Sequence, residues 1–271
     1  MLASAVLILY VLASIGFIGY LFTRDTTLLN VARLFFLLCV ATHLAFIISL
    51  GARMQHIPIS SPAQAMNMMV FFASVVFISL IWKKATTVLM SFFLPVATFA
   101  VGFIAPSLGH EPGIFIESSR CWYTLHTVSV IGGEALFAVA FIASVVYLIH
   151  ERIIRKGSIH TAASGLPPLA ILDKILYSCL SAGFVAISIG MILGALWASS
   201  LGLSFASVAP KASAGAIMWF VFALGVHQRF AVGWRGSRTA IITAIGFSLM
   251  IVCFIGVNLA FPNAHGIGLI P

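Results

Sequence analysis

The sequence predicts an all-α, polytopic membrane helix bundle of about eight transmembrane helices. The chain is 62% hydrophobic and only 7% charged, too few polar groups to cover the surface of a soluble fold. Apolar runs of about 20 residues recur from end to end, each long enough to cross roughly 30 Å of hydrocarbon. In that medium every backbone amide must be satisfied within the protein, which a helix does by itself. The alternating pattern of a membrane β-barrel is absent. No repeats, heptads or low-complexity blocks break up residues 1–271, which read as a single transmembrane domain.

The spans fall at about 2–22, 29–51, 63–82, 86–104, 121–149, 174–198, 213–231 and 238–260. The first has no basic stretch before it, and its first charge, Arg24, follows the apolar run. It therefore reads as an uncleaved helix with its N-terminus outside rather than a signal peptide. The second carries His43 and ends near Arg53. The stretch 105–120 contains Pro106, Gly109, Pro112 and Gly113 and reads as irregular. The fifth span opens with Trp122 and holds His126 and Glu134. The connector GSIHTAASGLPPLAILDK reads as flexible, with a turn at Pro167–Pro168. Between spans six and seven lies a short polar loop with Pro210 and Lys211. His227 sits near the end of span seven, and His265 follows span eight.

The net charge of +8 does not point to nucleic acid, because the basic residues fall in short clusters between apolar runs. Eleven of them (Arg24, Arg33, Lys83, Lys84, Arg152, Arg155, Lys156, Lys174, Arg229, Arg235 and Arg238) lie on one side of the predicted topology, against three (Arg53, Arg120 and Lys211) on the other. That bias puts both termini on the outer, non-cytoplasmic side of a plasma (inner) membrane, with lipid as the surrounding partner. The four cysteines (Cys39, Cys121, Cys179 and Cys253) form no CxxC or CxxCH motif, which argues against a thiol oxidoreductase or a c-type cytochrome.

Ionisable groups inside a bilayer usually face a cavity, a cofactor or a partner. His43, His126, Glu134 and His227 are such groups, with His265 at the surface. Imidazole is a good axial ligand for haem iron, and a bis-His site needs one ring on each face of the porphyrin. His126 and His265 come from different elements at the same outer side, which makes them the best ligand pair by depth. The alternative for each histidine is a hydrogen bond between helices. Glu134 is either a proton-relay or propionate-neighbouring group or a hydrogen-bonded residue between helices. Arg53 is either a propionate partner or a positional anchor. Zinc is disfavoured, because no cysteine or carboxylate is spaced to complete a site.

Several stretches together carry a resemblance. THLAFIISLGAR precedes HIPISSPAQAMNMMVFF, and span five opens CWYTLHTVSVIGGEALFAVAF. Span six ends GALWA, followed by PKASAGAIMWFVFALGVHQRFAVGWRG, and the tail reads GFSLMIVCFIGVNLAFPNAHGIG. Over roughly residues 30 to 268 the sequence resembles the cytochrome c assembly family of haem-handling membrane proteins, the CcsA type with its HemX-like and YpjD-like relatives. The resemblance implies that His126 and His265 flank an external loop and bind haem. It assigns His227 to a deeper haem position and matches His43 to a recurrent histidine of span two. The implied cofactor is haem b. The implied partners are a second haem-handling membrane subunit or an apocytochrome.

One departure stands out. The family's tryptophan-rich loop ends WDPKE, and here the stretch is SFASVAPKASA. Only Pro210 and Lys211 remain, and Phe205 is the one aromatic left to stack on a porphyrin. That pattern points to a HemX-like or YpjD-like branch rather than a working haem lyase.

Overall fold

The computed structural model describes residues 1–83, 86–108, 120–157 and 165–260. Among them are eight α helices: α1 (Leu2–Thr23), α2 (Thr26–Met54), α3 (Pro62–Ile78), α4 (Thr87–Ile104), α5 (Arg120–Arg155), α6 (Leu169–Ser200), α7 (Phe205–Phe230) and α8 (Ser237–Ala260). Six of the helices are long and apolar enough to cross a membrane, and α3 is apolar but has 17 residues. The chain is thus a polytopic helical membrane protein. The described residues divide into two compact units. One comprises Met1–Gly113 with Val146–Leu172, and the other Ile114–Val145 with Asp173–Pro271.

In the first unit, the turn between α1 and α2 is tight. Arg24 ends α1 at φ 57°, and the Asp25 side chain caps α2 by accepting from the Thr27 amide at 2.8 Å. The two helices then pack closely, because a Cβ on Gly16 would meet the Cβ of Ala32 at 2.7 Å. Ser61 caps α3 by accepting from the Gln64 amide at 3.2 Å, with Pro62 opening the helix where its missing N–H costs nothing.

The second unit is built from the first part of α5 with α6, α7 and α8. Gly183 and Gly133 bring α5 and α6 together: a Cβ on Gly183 would meet the Phe137 ring at 2.7 Å, and one on Gly133 would meet Ile187 at 2.5 Å. Phe137 of α5 stacks on Phe222 of α7, with ring centroids 3.6 Å apart, and Phe141 stacks on Phe247 of α8 at 4.8 Å. The pairs Trp219–Ser188 and Arg229–Asp173 between α7 and α6, and Gly225–Ile242 and Gly246–Phe222 between α7 and α8, make α6 and α8 antiparallel to α5 and α7.

One sequence expectation is corrected. The stretch around Pro210 and Lys211 is not a loop, since α7 begins at Phe205 and runs through both residues. Alanine and lysine there are good helix formers, and proline near a helix start disturbs few backbone bonds. The side chains of Phe205 and Lys211 lie outside the described residues.

Candidate functional site

His126 sits on the face of α5 that meets α6, and glycines on α6 make its slot. Its Nδ1–H donates to the Gly190 carbonyl at 2.7 Å. A Cβ on Gly194 would come within 2.7 Å of Nδ1 and 2.8 Å of Cε1. The Trp197 ring lies nearly parallel to the imidazole, 6.1 Å away and tilted by 19°, and Tyr123 packs against Trp197 at 5.1 Å. The carbonyl bond selects the tautomer with its proton on Nδ1, so Nε2 keeps a lone pair for a metal. Metal-binding histidines are commonly oriented by such a bond to the other nitrogen. A ring presented in this way is one that would suit a haem iron. Gly190, Gly194, Tyr123 and Trp197 carry this geometry, and all but Gly190 fall in the CWYTLH and GALWA stretches.

The other predicted residues are placed differently. His43 belongs to the first unit and is 0% exposed. Its Nε2–H donates to Asn67 Oδ1 at 3.1 Å, and its Nδ1 pairs with the Tyr10 hydroxyl, also at 3.1 Å. Tyr10 in turn bonds Ser74 at 2.7 Å. Both ring nitrogens are thus engaged, and His43 ties α1, α2 and α3 together. Arg53 is an exposed residue in the last turn of α2. Trp122 is 40% exposed at the start of α5.

His227 is exposed on α7, in line with Phe220 and Leu224, and its ring makes no hydrogen bond to a described residue. Glu134 is half-buried on α5. A hydrogen bond between helices was one expectation for it, and no donor meets it among the described residues. His265 lies outside the described residues. Among those that are described, no three His, Cys, Asp or Glu side chains gather around a metal position.

At the opposite end of the second unit, three chain segments are tied together. Asp173 on α6 takes a two-pronged bond from Arg229 on α7, at 3.0 and 2.6 Å. It also accepts from the Gly236 amide at 3.0 Å. Arg229 lies over the Tyr177 ring at 4.9 Å and donates to the Trp234 carbonyl at 3.1 Å. The GWRG turn supplies the sharp bends, with Gly233 at φ 77° and Gly236 at φ 68°.

The family model "Cytochrome C assembly protein" matches residues 69–265, a stretch that holds His126, Trp197, His227 and His265. The chain belongs to the cytochrome c assembly protein family. Among similar proteins is the cytochrome c biogenesis protein CcsA of Trichodesmium erythraeum, 42% identical over 98 residues, which are 36% of this chain and 28% of that protein. The protein of the same name from Mesostigma viride is 39% identical over 98 residues, 36% of this chain and 32% of the relative. The one from Gloeothece citriformis is 38% identical over 116 residues, 40% and 35% respectively. The match thus spans about a third of each relative's length.

Proposed function

We propose that this family member binds haem on the outer side of a plasma (inner) membrane and handles it in cytochrome c assembly. The observation that carries the reading is the presentation of His126, with Nδ1 anchored on the Gly190 carbonyl and Nε2 in no hydrogen bond with a described residue. His265, at the far end of the family match, is the second residue that would hold haem. When bound, haem b would supply a redox-active iron. Trp122, on the first turn of α5, and Phe205 and Lys211, on the first turns of α7, are the residues proposed to border it.

His227 belongs to a second, deeper position. Its ring is exposed on an apolar face of α7, and no group of three or more His, Cys, Asp or Glu gathers there among the described residues. The missing ligand there would come from a second haem-handling membrane subunit, while an apocytochrome would receive haem from the outer site. Loss of the tryptophan-rich loop supports a HemX-like or YpjD-like branch, in which the chain holds or passes haem without acting as a lyase.

The ligand assignment is tested by haem retained per purified chain. Replacing His126 or His265 by alanine is expected to lower retention about tenfold or more. Replacing His56, in the segment between α2 and α3, should leave it unchanged. Equal retention in all three variants would reject the assignment.

A further inference from the structure

The bonds around Asp173 leave one end of the second unit strongly positive. Asp173 is the one acid in α6, α7, α8 and the turn that joins the last two. Both of its oxygens are taken, Oδ1 by Arg229 and the Gly236 amide, and Oδ2 by Arg229. Lys174 follows Asp173 in the chain, Arg235 precedes Gly236, and Arg238 lies two residues beyond it. The Asp173–Gly236 bond thus gathers three further cations at this end. All three are exposed, and none makes a hydrogen bond or ion pair with a described residue.

Apolar surface stands beside the charge. Phe230, the last residue of α7, is 83% exposed, and Val232 in the turn is 57% exposed. Trp234 follows them along the chain. Its carbonyl is held by Arg229 at 3.1 Å, and the Arg238 guanidinium lies over its ring at 5.7 Å, an attraction that draws this cation toward the turn. Indole rings favour the headgroup level of a membrane. On the predicted topology this end meets the cytoplasmic leaflet, where anionic lipids are found. A free anion would answer the cations alone, and an uncharged lipid would cover Phe230 and Val232 alone. A phospholipid with a net negative headgroup meets both.

We propose that the α7–α8 turn binds such a lipid, with Lys174, Arg235 and Arg238 around its phosphate and Phe230 and Val232 along its acyl chains. Haem takes no part in this site. Each basic residue near an anionic membrane surface contributes about fivefold in affinity. Three of them favour the anionic lipid over a zwitterionic one by about a hundredfold at low salt.

The test is native mass spectrometry of the purified full chain in neutral-detergent micelles at low salt. It is titrated with phosphatidylglycerol or with phosphatidylcholine of the same acyl chains. The wild type should bind the first about a hundredfold more tightly than the second. Arg235→Gln/Arg238→Gln should cut that preference to about fivefold. Arg152→Gln/Lys156→Gln, which removes two exposed cations at the end of α5, should leave it unchanged. Equal affinity of the wild type for the two lipids overturns the proposal, and that comparison needs no variant. An undiminished preference in Arg235→Gln/Arg238→Gln also overturns it. An equal loss in Arg152→Gln/Lys156→Gln does so by assigning the preference to diffuse surface charge. Displacement of phosphatidylglycerol by an equal concentration of inorganic phosphate does so by showing an anion site without a lipid.

Discussion

Gly194→Ala is expected to weaken haem binding about tenfold while leaving the helices intact. The added methyl would sit 2.7 Å from His126 Nδ1 and 2.8 Å from Cε1, closer than carbon tolerates, so the ring must move. The ring is held by its 2.7 Å bond to the Gly190 carbonyl and by Trp197 beside it. Moving away from the methyl lengthens or breaks the bond that fixes the tautomer. Loss of such an orienting partner typically costs 10–100-fold in affinity. The helix itself should not suffer, since alanine is the better helix former. Gly132→Ala is the matched control, because a Cβ there meets nothing within 4 Å. Haem titration of both variants, with helicity followed by circular dichroism, measures the effect. Unchanged affinity in Gly194→Ala would show that the glycine slot does not position His126.

Asp173→Ala is expected to be among the most destabilising single changes in the second unit, at about 3 kcal/mol. Arg229 would lose both carboxylate bonds and keep only the Trp234 carbonyl and the Tyr177 face. The Gly236 amide would lose its acceptor as well. The pair is not fully dry, with side-chain exposures of 18% and 13%, so the cost belongs at the lower end of the range for buried pairs. The double variant Asp173→Ala/Arg229→Ala should cost clearly less than the two single changes added together, because it removes the stranded charge. Unfolding in mixed detergent micelles measures all three. Simple additivity would mean that the two side chains do not act as a pair.

The fold was largely legible because lipid imposes one strong rule, and each of the eight predicted spans overlaps a helix. The misread segment was the one around Pro210, where a proline and small polar residues imitate a loop. Its alanines and lysine are helix formers, and the helix takes them up. Of the site, His126 was legible as an ionisable residue in an apolar run. Its slot was not, because Gly190 and Gly194 matter only through their position across a helix interface, which no spacing along the chain reveals. His43 shows the converse. Its sequence context marks a polar residue in a membrane, whereas its role depends on Tyr10 and Asn67, which lie 33 and 24 residues away. Arg229 was counted only as a topology marker, and its partner Asp173 lies 56 residues away.

The central claim is that the chain holds haem through histidine. It is tested most directly by the visible spectrum of the purified protein, before and after addition of haem and then of a reductant. The account predicts a Soret band and, on reduction, the sharp α and β bands of a low-spin, six-coordinate iron with two nitrogen ligands. No Soret band after haem addition would contradict the account outright.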